Sequence, residues 1–200
     1  MSRLNVDKIT GATGTASGAP ITLSGDTVTL GSAVTFPAGM IVNVQQAVKL
    51  GAQEITSQSY VIVSGLTVTT ATPKSSSSKF LIEYHIAASI YNDTNHGYLQ
   101  IYKGGSALSD ATADVSDAGN NRTGATQVVN QSGAADGSAF SYAMKFLDSP
   151  SSSTAVTYAI YGKTSNSNGN LYINRAGRDN DAATYDGRGI STLTVMEIVG

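Results

Sequence analysis

The chain has 200 residues and a mass of 20.5 kDa, enough for one sizeable core or for one compact domain plus an extended segment. Charged residues make up 13% of it, about half the globular average of roughly 25%, while Gly, Ser and Thr supply 68 positions, so hydroxyls and amides carry the solubility. The net charge is −2 with no basic cluster, which argues against a nucleic-acid partner, and the absence of cysteine excludes disulfides, zinc-thiolate sites and a cysteine nucleophile.

The opening Met1-Ser2-Arg3-Leu4-Asn5-Val6-Asp7 has no apolar core of signal-peptide length, and no run of 18 apolar residues occurs anywhere. The expectation is a chain that neither inserts in a membrane nor leaves the cell through an ordinary signal. Ten tyrosines and many Val, Ile and Thr argue for order rather than disorder, and for a β-rich fold.

The chain divides near Gly39. Residues 21–39 read as three short units: Ile21-Thr22-Leu23, Val28-Thr29-Leu30 and Val34-Thr35-Phe36, each followed by turn residues. A three-residue strand with two apolar side chains gains roughly 3–6 kcal/mol at best. Ordering six residues costs about 1–2 kcal/mol each, so such units need neighbours. The pattern points to several chains packing around an axis, with Ile21, Leu23, Val28, Leu30, Val34 and Phe36 as the interchain residues.

From Met40 the strands lengthen. Ile41–Val48, Tyr60–Val63 and Leu66–Thr69 come first, the last two parted by Ser64-Gly65. Phe80, Ile82, Tyr84 and Ile86 then share one face of a strand whose other face carries Leu81, Glu83 and His85. Tyr98–Tyr102 follows, then alternating Phe140/Tyr142/Met144/Phe146, Val156/Tyr158/Ile160, Leu171/Ile173 and Leu193–Ile198. Period-2 alternation repeated over eight or nine strands, with no convincing amphipathic helix, predicts an all-β two-sheet sandwich of jelly-roll-like type over residues 40–200. The long loops are Ser106–Thr126 and Arg175–Gly189, with a shorter one at Thr164–Asn170.

Motifs for chemistry are scarce. Gly162-Lys163-Thr164 ends like a P-loop, but Thr157 stands where the first glycine belongs and the flanks read as strand. There is no Gly-x-Ser-x-Gly elbow, and His85 and His96 lack metal-ligand spacing. Asp179-Asn180-Asp181 opens like a calcium loop but has Thr184 and Ile190 where Gly and Glu are needed. Glu54, Glu83 and Glu197 are the only glutamates. The reading is therefore no catalytic residue, no metal site and no cofactor.

Tyrosine is the informative residue type. Tyr84, Tyr142 and Tyr158 are in phase with apolar neighbours and read as core, whereas Tyr91, Tyr98, Tyr161, Tyr172 and Tyr185 lie at strand ends or in loops beside amides and charged groups. Such rings stack on sugars or serve interfaces equally well. The candidate receptor contacts are Tyr91, Asn95, Tyr161, Tyr172, Arg178 and Tyr185.

Several stretches carry a resemblance: Leu4-Asn5-Val6-Asp7-Lys8-Ile9, Gly11 to Pro20, Phe36-Pro37-Ala38-Gly39, Phe146-Leu147-Asp148-Ser149-Pro150 and Ser191 to Ile198. They resemble virion structural proteins of tailed bacteriophages, such as those of marine cyanophages. The resemblance implies a particle-docking N-terminal segment over residues 1–20, a trimeric β shaft over 21–39, and a solvent-facing knob. Arg3, Leu4, Val6, Lys8 and Ile9 would anchor the chain to the particle. The implied partners are the chain itself as a homotrimer and other virion proteins of head or tail. A shaft of this length is a stub, which suits a short fibre or head decoration better than a long fibre. The alternatives within that likeness are a receptor-binding module for host surface glycans and a capsid cement protein.

Overall fold

The computed structural model describes residues 7–9, 21–24, 26–30, 34–91, 96–113, 122–130, 139–179 and 186–200. It is all-β and antiparallel, with no α-helix among the described residues. Two compact units divide the chain, Met1–Met40 and Ile41–Gly200.

The first unit holds a three-stranded sheet ordered β1 (Lys8–Ile9), β2 (Ile21–Ser24), β3 (Thr27–Leu30). Its register sets Ile9 against Ile21, Ile21 against Leu30 and Leu23 against Val28. Directly opposed residues share a face, so one face is wholly apolar and the other carries Lys8, Thr22, Thr29, Ser24 and Thr27. Ile9, Val28 and Leu30 are 47–59% exposed. The expected third strand Val34-Thr35-Phe36 does not form; both apolar residues are half-buried in irregular chain running into Pro37, which has no N–H for a ladder. Lys8 and Ile9, expected in an extended anchor, supply the third strand instead, and Leu23 N–H donates to Asp7 O at 2.8 Å. Arg3, Leu4 and Val6 lie outside the described residues.

The second unit contains β4 (Ile41–Lys49), β5 (Gln53–Ile55), β6 (Val61–Thr69), β7 (Lys79–Tyr91), β8 (His96–Lys103), β9 (Ser106–Ala107), β10 (Gln127–Asn130), β11 (Phe140–Asp148), β12 (Thr157–Thr164), β13 (Asn170–Ile173) and β14 (Ser191–Ile198). The first of its two sheets is organised by the 13-residue β7. One edge of β7 pairs with β14 along Lys79–His85 and with β13 along Ala88–Tyr91; the other edge pairs with β11 along Phe80–Ala88. Strand β4 flanks β14, and β5 flanks β13. The second sheet runs β10-β8-β12-β6, with β9 added to β8.

The two sheets share one core. Phe80, Ile82, Tyr84, Ile86, Ala88 and Ile90 of β7 alternate inward and meet Val63, Leu66, Val68, Leu99, Ile101, Tyr158 and Ile160 from the other sheet. The Phe80 and Tyr158 rings lie 5.9 Å apart. Full burial of each such side chain is worth about 1.5–3 kcal/mol. The two segments expected on either side of Ser64-Gly65 are one strand, β6, carrying a bulge. Between the Ile62/Tyr161 and Thr67/Ala159 pairs β6 has four residues to the one of β12; Gly65 within this stretch sits at φ +84°, and the odd excess of three lets both Val63 and Leu66 face the core.

Several buried polar groups are paired across the core. Asp148 on β11 is buried and accepts from Tyr158 Oη at 2.6 Å and Lys103 Nζ at 3.1 Å, tying β11 to β12 and β8. Tyr84 Oη donates to Gln127 Oε1 at 3.0 Å. Buried Glu197 accepts from Ser78 Oγ at 2.8 Å and from the Lys74 N–H, which caps the turn before β7. Burial pushes the Tyr84 and Tyr158 hydroxyls above the ordinary tyrosine value of 10.0, and for Tyr158 the hydrogen bond to Asp148 and the Asp148 charge add to it.

A pKa raised by folding gives stability that is complete below the unfolded value near 10 and is lost as pH climbs through the folded value. Urea unfolding should therefore show stability falling above pH 10, with the tyrosinate absorbance of these two rings appearing only as the chain unfolds. Tyr158→Phe should cost about 1–3 kcal/mol at pH 7 and decline less steeply in base; an unchanged alkaline slope would contradict the assignment.

Candidate functional site: a tyrosine cluster on the second sheet

On β8, Leu99 and Ile101 point into the core, so Tyr98, Gln100 and Tyr102 face outward. On β12, Tyr158, Ile160 and Gly162 face inward, leaving Ala159, Tyr161 and Lys163 outward. The register places Lys163 opposite Tyr98, Tyr161 opposite Gln100, and Ala159 opposite Tyr102. The small Ala159 lets Tyr102 lean diagonally onto Tyr161, and their rings stack at 3.8 Å with planes 15° apart. Tyr60, just before β6, approaches Tyr102 at 6.1 Å and donates its hydroxyl to Gly124 O at 2.9 Å. Lys163 Nζ sits 5.0 Å from the Tyr60 ring and 5.4 Å from the Tyr98 ring, so aromatic faces hold its charge.

Burial raises the Tyr60 and Tyr102 hydroxyls above the usual tyrosine value, helped by neighbouring tyrosines. At neutral pH these are protonated hydroxyls. The cluster thus offers partly exposed rings, hydroxyls that donate and accept, and one ammonium. That chemistry suits non-covalent recognition of a polyhydroxylated or amphipathic surface. Gln100 beneath it is fixed by donating to Thr112 Oγ1 at 2.7 Å. The P-loop-like Gly162-Lys163-Thr164 is part of strand β12. Space at 162 is tight, since a Cβ there would meet the Leu171 side chain at 3.0 Å and the Ile55 side chain at 3.1 Å.

A second polar cluster surrounds β13. Asn170 Nδ2 donates to Glu54 Oε1 at 2.6 Å and to Tyr172 Oη at 3.1 Å. Arg175 stacks over the Tyr172 ring at 4.0 Å, reaches Glu54 at 3.4 Å and pairs with Asp179 at 3.0 Å. Arg188 also pairs with Asp179, at 2.8 Å, so the first residue of the calcium-like stretch is engaged by two arginines. Asn174 anchors the loop after β13. It is buried at φ +63°, donates to Lys49 O at 2.7 Å and Gly51 O at 3.2 Å, and accepts from Ser191 Oγ at 2.6 Å.

Of the expected receptor contacts whose side chains the structure describes, Tyr161 belongs to the tyrosine cluster. Tyr172, expected at the surface, is 5% exposed, because it lies inside β13 with Arg175 covering its ring. Arg178 forms a two-bond pair with Asp186 at 2.6 and 3.0 Å. Tyr91 ends β7 opposite Asn170, and Asn95 and Tyr185 lie outside the described residues. The sequence reading left Tyr60, Tyr102 and Lys163 out and put Tyr98 at a strand end. The signal for three of them was their phase, opposite to Leu99/Ile101 and to Tyr158/Ile160. No protein-family model and no curated protein sequence matches the chain.

Asn174→Ala should cost about 2–4 kcal/mol in urea unfolding, since it strands two backbone carbonyls and the Ser191 hydroxyl and puts alanine at positive φ. Asn174→Gly keeps the backbone freedom and should recover part of that loss; equal costs for the two variants would remove the conformational half of the argument.

Proposed function

We propose that this chain is a non-enzymatic structural protein of a tailed-phage virion. It assembles as a homotrimeric short fibre, knob or decoration, docked on the particle by its N-terminal segment, with the β domain as an outward-facing, jelly-roll-like knob. The observation that carries the reading is the first unit. Its ten-residue sheet has a wholly apolar face, with Ile9, Val28 and Leu30 left about half exposed. Such a sheet gains less from burial than its ordering costs unless other chains cover it. The likeness to phage appendage proteins adds the particle as the docking partner.

Complementation of virions with the full chain and with a chain beginning at Ile41 tests the docking. The full chain should copurify with particles, and the shorter chain should remain soluble and folded but absent from them; incorporation of both would refute N-terminal docking. The tyrosine cluster favours a second reading, in which the knob contacts a host surface glycan. The chain has no tryptophan, so tyrosine emission is unobscured, and the cluster supplies four of the ten tyrosines. A saccharide that binds there should quench the emission, and Lys163→Met with Tyr98→Ala should abolish the change; a glycan array with no response at high micromolar protein would end that reading.

A further inference from the structure

The outer face of the first sheet presents an apolar row across four adjacent strands. The ladders align Val44 of β4 with Met196 of β14, Leu81 of β7 and Leu147 of β11. All four lie on the side away from the core, because Phe80, Ile82, Leu193 and Val195 take the inner phase. Val44 is 58% and Leu147 47% exposed, and Val48, set apart from this row by the Gln46 position, is 47% exposed. Contiguous exposed apolar surface of this extent marks an interaction site.

The adjoining row is polar and satisfied within itself. Gln46 Nε2 donates to Thr194 Oγ1 at 2.8 Å, and Lys145 pairs with Glu83 at 3.2 Å, across the same four strands. The face therefore opposes another copy of itself without uncompensated like charges along these rows. A partner of different chemistry would call for an unbalanced charge or a pocket, and neither row supplies one. Four strands about 4.8 Å apart and about 30 Å long give a flat footprint of roughly 500 Å². Side-chain relief adds to this, against the ~800 Å² each partner gives to a standard interface. The sheet in the first unit repeats this character, being apolar on one face with its single described lysine on the other.

We infer that the outer face of β4-β14-β7-β11, centred on the Val44–Met196–Leu81–Leu147 row, packs against the same face of other copies of this chain. The inference rests on the homotrimer reading and assigns it a knob interface distinct from the shaft residues.

Native mass spectrometry and light scattering of the full chain, from about 1 to 100 µM, test it with two double variants. Val44→Glu with Leu147→Glu should raise the dissociation constant of the oligomer at least about tenfold while leaving the far-UV circular dichroism unchanged. Val28→Glu with Leu30→Glu serves as the comparison in the first unit. The milder Val44→Thr, which keeps side-chain shape and β propensity, should weaken assembly in the same direction without endangering the fold. An oligomer that resists both knob variants and falls apart only with the Val28/Leu30 variant would overturn this interface and leave the trimer standing. A wild-type chain that stays monomeric over the whole range would overturn both.

Discussion

Strand β7 is the element on which the second unit depends. It is paired on both edges, by β11 on one side and by β14 and then β13 on the other, and its inner face alone contributes Phe80, Ile82, Tyr84, Ile86, Ala88 and Ile90 to the core. A strand buries only one face when its sheet packs on one side. Every residue that β7 commits to the core thus commits its neighbour to the outside. The outer row through Leu81 and the polar row through Glu83 follow from the same alternation that builds the core.

The same constraint operates on the second sheet with a different result. There the outward phase of β8 and β12 carries tyrosines and a lysine rather than short aliphatics. Tyr102 and Tyr161 stack, Lys163 lies against Tyr60 and Tyr98, and a loop residue, Gly124, accepts the Tyr60 hydroxyl. The rings shield one another and stay partly exposed. One sheet of the unit therefore shows water an aliphatic row, and the other an amphipathic aromatic cluster.

Alternation made the long strands legible in the sequence, because Phe80 to Ile86, Tyr142 to Phe146 and Leu193 to Val195 announce their faces at period two. What depends on pairing between distant segments was not legible. Residues as short as Lys8–Ile9 have no pattern of their own and become a strand only because Ile21–Ser24 offers an edge. Ser64-Gly65 looked like a break because Ser-Gly reads as a turn, and only the ladder to β12, which resumes past it with a register shift, shows that the strand continues. Tyr172 looked like a surface ring beside Asn170 and Arg175. Its burial follows from the cation lying over it, a contact that spacing does not encode. The tyrosine cluster needed two registers at once, β12 on β8 and β12 on β6, before its members could be placed together.

The polar ties bear on why so weakly charged a chain holds one arrangement. Apolar packing between two sheets is tolerant of sliding, whereas a buried carboxylate with two donors is not. Asp148 fixes β11 against β8 and β12, and Asn174 fixes the start of its loop to carbonyls at and just past the end of β4 and to the first residue of β14. Leaving any of these groups unpaired in the interior costs more than the bond itself contributes, so a slipped register is penalised at several points together. The four strands that share the Val44–Leu147 row are held in step by that penalty. Their outer apolar residues are thereby delivered as one aligned band, where a drifting register would scatter them.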